Sequence, residues 1–130
     1  MVGLNAGDSR GSVLVVEDDD ATRDAIRALI ERDGHVVATA ADGDEALRML
    51  RGGLRPCIIV LDLALKTCSG FTFREAQLKD PQLADIPIII ESGVYDVKLA
   101  AAQLRAVAYF RKPFDAVAML DSIREYCASQ

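Results

Sequence analysis

The chain has 130 residues, a formal net charge of -5 at pH 7, 51% hydrophobic residues and 27% charged ones. This size suits one domain with a real hydrophobic core, and the composition is that of an ordinary globular protein. The acidic balance gives no electrostatic footprint for nucleic acid, and no apolar run approaches the roughly 20 residues needed to span a bilayer.

Residues 1–11, MVGLNAGDSRG, are small and polar and read as a flexible tail. They hold no apolar core followed by a cleavage site, which argues against secretion. SVLVVED (12–18) is a β-branched apolar run, the pattern of a strand buried on both faces. In DATRDAIRALIERDG (20–34), Ala25, Ile26, Leu29 and Ile30 recur at helical spacing, with Asp20 suited to cap the start and Gly34 the end. HVVATA (35–40) predicts a second strand, and DGDEALRMLRGG (42–53) a second helix with Leu47 and Leu50 inward. CIIVLDL (57–63) predicts the third strand, and FTFREAQLKD (71–80) a helix ended by Pro81. Pro87 introduces IIIES (88–92), a fourth buried strand, and DVKLAAAQLR (96–105) reads as the fourth helix. VAYF (107–110) is a short fifth strand. DAVAMLDSIREYC (115–127) is a last helix with Val117, Leu120, Ile123 and Tyr126 at compatible spacing.

Short apolar strands alternating with amphipathic helices predict an α/β fold, a mostly parallel sheet covered on both faces. Nothing in the composition marks a second domain, so one domain is expected over 12–127, between the tail 1–11 and a short polar tail 128–130. In such sheets ligands bind at the carboxyl ends of the strands. Those ends read Glu17-Asp18-Asp19-Asp20, then Asp62, then Glu91-Ser92-Gly93, then Arg111-Lys112-Pro113. Singly, each has an ordinary reading: Asp19 and Asp20 as a helix cap, Lys112 as a surface residue, Ser92-Gly93 as a turn. Together, carboxylates, a hydroxyl and an ammonium converge on one edge of the sheet. Hard oxygen ligands of this kind suit Mg²⁺, which keeps waters and binds substrate phosphate.

Cys57, Cys68 and Cys127 are odd in number and lack CxxC spacing, which argues against disulfides or structural zinc and fits a reducing cytosol. Cys57 and Cys127 read as small apolar fillers, and Cys68 as a loop thiol open to redox chemistry only with a lowered pKa. His35, the sole histidine, reads as a surface or strand-end residue rather than a phosphorelay histidine.

VLVVEDDD, IIVLDL with Gly70 eight residues after Asp62, PIIIES and AYFRKPF stand in the order and spacing of a known family. From about Ser12 to Tyr126 the chain resembles the receiver domain of bacterial two-component response regulators, chemotaxis regulators among them. The resemblance implies a flavodoxin-like, doubly wound sheet of order 2-1-3-4-5. It implies Asp62 as the phosphoacceptor, charged by a sensor histidine kinase or a histidine phosphotransfer protein. Glu17, Asp18, Asp62 and the backbone carbonyl of Ala64 would hold Mg²⁺. Lys112 and Ser92 would contact phosphoryl oxygens, Tyr109 would be the switch aromatic, and Lys112-Pro113 matches a cis-peptide position.

The same resemblance implies a cytoplasmic protein, monomeric or dimerising on phosphorylation, with an output surface on the fourth helix, fifth strand and fifth helix. It would be no enzyme beyond catalysing its own aspartyl phosphorylation and dephosphorylation. No nucleic acid or membrane partner is expected. The chain would stand alone as a relay intermediate or diffusible signal, or form part of a longer protein; the initial Met and the polar end CASQ favour the former.

The loop Ala64-Leu65-Lys66-Thr67-Cys68-Ser69-Gly70 departs from the family pattern, with Lys66 in place of the usual Pro and Ser69 in place of the usual Asp. Losing the Pro should loosen it. Glu91 is an unusual polar residue on an apolar strand. A phosphatase of the haloacid-dehalogenase type would want an acid where Ala64 stands, and a dinucleotide-binding domain a Gly-rich first turn, which is absent. The remaining alternative is a pseudo-receiver, an unphosphorylated interaction module on the same fold.

Overall fold

Five strands and five helices alternate along residues 11–127, the part of the chain that this computed structural model describes. The expected tails at 1–11 and 128–130 lie outside the described residues, Gly11 aside. The elements are β1 (Val13–Val16), α1 (Asp20–Arg32), β2 (Val37–Ala40), α2 (Gly43–Arg51), β3 (Ile58–Asp62), α3 (Gly70–Lys79), β4 (Ile88–Ser92), α4 (Val97–Leu104), β5 (Ala108–Arg111) and α5 (Ala116–Tyr126). Each falls within two residues of its expected span, or within one at most ends. The strands pair in parallel in the order β2-β1-β3-β4-β5.

The pleat sorts the apolar runs onto two faces, because successive side chains in a strand point to opposite sides. Leu14, Val16, Ile59, Leu61, Ile88 and Ile90 pack with Leu47 and Leu50 of α2, Phe73 of α3 and Ala100 of α4. Val13, Val15, Ile58, Val60 and Ile89 pack with Ile26 and Ile30 of α1 and with Met119 and Ile123 of α5. Central strands buried on both sides need continuous apolar sequence, which is why β3 and β4 read IIVL and III before their polar ends.

Each helix begins with a side chain accepting from an N–H that the helix leaves unpaired. The caps are Asp19, Asp42, Ser69, Asp96 and Asp115. α1 is therefore capped by Asp19 and not by Asp20, whose carboxylate instead pairs with Arg23 at 2.5 Å. Gly34 follows the end of α1 with φ 96, a left-handed conformation that glycine adopts without strain.

Three further expectations are corrected. Cys57 and Cys127 form a disulfide, their Cα atoms 5.5 Å apart, and so are not merely apolar fillers. Parallel strand order brings the start of β3 under the end of α5, a proximity no local spacing encodes. His35, two residues before β2, is buried rather than at the surface, its Nε2 lying 3.1 Å from Asp33 Oδ2. On α5 the inward residues are Met119 and Ile123, whereas Val117 is 66% and Tyr126 42% exposed. Two apolar stripes run along this helix, and the sheet takes the one that continues to Cys127.

Candidate functional site

The site is built by register. Glu17 follows Val13 and Val15, Asp62 follows Ile58 and Val60, and Glu91 follows Ile89, so alternation directs all three carboxylates to the α1/α5 face. β1 and β3 pair with Val16 beside Leu61, while β3 and β4 pair with Asp62 beside Glu91. Three acids therefore stand side by side at the carboxyl edge of the sheet. Like charges directly opposite one another in a sheet are destabilising.

Lys112 answers that repulsion. Its Nζ lies 2.8 Å from Glu17 Oε1, 3.4 Å from Asp62 Oδ2 and 3.3 Å from Glu91 Oε1. Its own N–H donates to the Ser92 carbonyl, which holds it just past β5, and its bond to Pro113 is cis, as the resemblance implies. Burial opposes the charge on Lys112, but the surrounding carboxylates outweigh it and raise its pKa. Burial raises Glu17 too, with Asp62 adding to the effect against the hydrogen bonds from Lys112 and the Asp19 N–H. Glu91 is pushed up to about 7, chiefly by burial, despite the nearby ammonium.

Asp62 is 4% exposed, and its Oδ1 accepts from the Ala64 N–H at 3.0 Å. Glu17, Asp18 and Asp62 each offer an oxygen to a group lying within 4.8 Å of one another. An all-oxygen set of carboxylates, with one ammonium already present, fits a small hard cation such as Mg²⁺. Ala64 sits beside this cluster through its hydrogen bond to Asp62. Ser92 is fully buried, and its hydroxyl oxygen accepts from the N–H groups of Val94 and Tyr95 at 3.0 Å each, which leaves its proton to donate. Tyr109 is 44% exposed on β5.

The atypical loop is packed. The Lys66 N–H donates to Asp18 Oδ2 at 3.0 Å, Leu65 and Cys68 are buried, and Ser69 caps α3. These contacts stand where the missing Pro would have stiffened the backbone. The Cys68 thiol has its pKa raised, first by burial and then by Asp44 and Asp42, opposite to what a reactive thiol needs.

A family model described as response regulator receiver domain matches residues 13–124. The chain belongs to the response regulator receiver family. The receiver is 36% identical over 107 residues to the transcriptional regulatory protein AfsQ1 of Streptomyces coelicolor, covering 74% of this chain and 47% of that protein. It is 32% identical to the DNA-binding dual master transcriptional regulator RpaA of Synechocystis, covering 86% of this chain and again 47% of the relative. The chain thus spans about half the length of these curated relatives. Among solved structures, the receiver is similar to a response regulator receiver protein from Pseudomonas putida, with TM-score 0.82, 27% identity and coverage of 91% and 98%. It is also similar to the chemotaxis protein CheY4 of Vibrio cholerae, with TM-score 0.79, 26% identity and coverage of 90% and 98%.

The residues singled out in the receiver's sequence for this site, Glu17, Asp18, Asp62, Ser92 and Lys112, come together at one strand edge. Sequence reading noticed Glu91 but missed its contact with Lys112. The signal was present: IIIE and IIVLD put their acids on the same side of paired strands. It also missed Arg23, whose Nη1 donates to the Glu17 carbonyl at 3.0 Å and anchors that strand end to α1.

Proposed function

We propose that this receiver is a phosphoacceptor, taking a phosphoryl group from a phosphohistidine of a sensor histidine kinase or histidine phosphotransfer protein onto Asp62. One observation carries the reading: a nearly buried carboxylate ends a central strand with an ammonium 3.4 Å away and two further carboxylates grouped beside it. In the transfer, an Asp62 oxygen forms the new O–P bond while the P–N bond to the donor histidine breaks, its electron pair returning to the imidazole. Positioning and charge stabilisation do most of the work in such transfers. Lys112 is close enough to Asp62 to meet a phosphoryl oxygen there, and the Ser92 hydroxyl has a proton to donate to another. Glu17, Asp18, Asp62 and the Ala64 carbonyl would hold Mg²⁺, which when bound supplies positive charge against that of the phosphoryl group. The chain turns over no separate substrate; it catalyses its own phosphorylation and dephosphorylation.

The donor protein is read as docking beside the site. A groove of about 790 Å³ between α1 and the segment after β5 is lined by Ala21, Ala25, Leu29 and Phe114 and opens next to Lys112. A helical donor seated there brings its histidine to Asp62. The output surface is read on α4, β5 and α5, where Leu99, Val107, Tyr109 and Val117 are exposed. Tyr109 sits in that surface and is assigned the switch role. A monomer, or a dimer formed on phosphorylation, fits such a face.

Absence of a nucleic-acid partner is proposed for these residues only, since relatives named as transcriptional regulators are about twice as long. The cytoplasmic reading rests on the family; among the described residues no helix is long and apolar enough to cross a membrane.

Incubation with Mg²⁺ and a small acyl phosphate, followed by intact-mass measurement, tests the reading. The expected result is a gain of one phosphoryl group in the wild type and none in Asp62→Asn. No gain in the wild type, with no Mg²⁺ affinity, would instead establish the pseudo-receiver.

A further inference from the structure

Glu91 has no part in the chemistry above, yet it occupies the same cleft. It is 1% exposed, and neither carboxylate oxygen has a hydrogen-bond partner. Its contact with Lys112 at 3.3 Å is an ion pair directed away from hydrogen-bonding geometry. A buried charge left unpaired is costly, so Glu91 depends on the Lys112 ammonium for its stability in the fold. Asp62, its partner across β3 and β4, makes a claim on the same ammonium, and so does Glu17. One cation thus serves three acids. Any phosphoryl group added to Asp62 is a further claimant.

We propose that Glu91 is a positioning residue that shares the Lys112 ammonium with Asp62 in the unphosphorylated receiver and competes with the incoming phosphoryl group for it. The inference rests on the phosphoacceptor reading of Asp62. Two physical effects act in the same direction. Drawing Lys112 toward a phosphoryl oxygen strips Glu91 of the cation paired with it among the described residues, and the new negative charge stands one strand away from the Glu91 carboxylate, where like charges repel. Both effects oppose phosphorylation. The elevated pKa of Glu91 is consistent with a carboxylate incompletely satisfied by its partner. Ser92, the next residue along the chain, lies on the other side of the pleat with Ile90 and Ile88, so a change at Glu91 leaves the hydroxyl's own hydrogen bonds in place.

The test compares phosphorylation rates by a small acyl phosphate with Mg²⁺ in wild type, Glu91→Gln and Glu91→Leu, each monitored by intact mass. Removing the competing charge is expected to raise the rate about tenfold, the size of effect one nearby charge exerts in a partly screened site. Urea melts of the unphosphorylated proteins supply the second readout. Lys112→Met leaves Glu91 buried without its cation and is expected to be destabilised, and adding Glu91→Gln should restore much of that loss.

A rate in the folded Glu91 variants equal to or below that of wild type overturns the inference. So does strict additivity of the two substitutions in the melts. Failure of both Glu91→Gln and Glu91→Leu to fold overturns it as well, since a competitor for Lys112 is dispensable to the fold. A wild type that takes up no phosphoryl group overturns the phosphoacceptor reading and this inference with it, a result distinct from uptake with unchanged rates.

Discussion

Gly70 shows how closely single residues are constrained around Asp62. A Cβ at this position would stand 2.8 Å from the Asp62 carbonyl oxygen and 2.8 Å from the Leu63 Cα, both backbone atoms that have no room to yield. The Gly70 N–H also donates to the Leu63 carbonyl at 3.3 Å, closing the loop against the strand end. Gly70→Ala is therefore expected to cost about 1–3 kcal/mol of stability, as overpacking at a close contact does. It should also slow phosphoryl uptake, because the atom displaced belongs to Asp62, the proposed phosphoacceptor. Urea melts and the acyl-phosphate assay check both; a wild-type midpoint with a wild-type rate would mean that the loop has slack. The spacing of Gly70 from Asp62 was legible in the sequence. What replaced the usual loop residues was less so: Ser69 serves as a cap, while the Lys66 N–H reaches Asp18 from 48 residues away.

Helices α1 and α5 share one face of the sheet and are tied at their ends. Asp33, the C-cap of α1, accepts from Arg124 Nε at 2.9 Å and also bonds Nη2 of the same guanidinium. The Arg124 hydrogen bond is the largest influence holding the Asp33 pKa below its ordinary value, with His35 adding to it. A carboxyl depressed on folding contributes stability above its unfolded pKa and loses it as the pH falls through the folded value. Asp33→Asn should thus lower the melting temperature slightly at pH 6, and the gap from wild type should close as the pH drops below about 4. Melting curves from pH 6 to 2.5 read this directly; a gap that stays constant would show that the pair adds nothing through its charge.

The element scale also explains where sequence reading stopped short. Arg74 and Gln77 of α3 are buried polar residues amid an apolar layer, and helical periodicity alone treats them as solvent-facing. Arg74 donates to the carbonyls of Leu104 and Arg105, and Gln77 to those of Leu83 and Ile86. They satisfy carbonyls at the end of α4 and in the turn before β4, partners that only the packed helices supply.

Across the whole molecule, the disulfide between Cys57 and Cys127 joins the base of a central strand to the end of the last helix, a separation of 70 residues. Closing a loop of that length restricts the unfolded chain by about 4 kcal/mol in the chain-entropy account. Reduction, or Cys127→Ala, should therefore lower unfolding stability by up to about 4 kcal/mol, measured by urea melts with and without reductant. Equal midpoints under both conditions would sink the idea that the cross-link bears on stability. The cysteine count pointed toward a reducing compartment because pairing at this distance leaves no spacing signature. With the disulfide in place, that inference from the cysteines is withdrawn.

The sequence by itself determined the fold class, the order of elements and most of the site. Strand burial, helix period and capping are local, and a parallel sheet obliges strand ends to converge. It marked Glu17, Asp18, Asp62, Ser92 and Lys112 because each ends a strand or follows one within two residues. Tertiary structure decided which of those groups share one ammonium, which stripe of α5 faces inward, where His35 and Arg74 are buried and which cysteines meet. Each of these depends on the register between strands and the docking of helices far apart in the chain, and no local pattern carries that information.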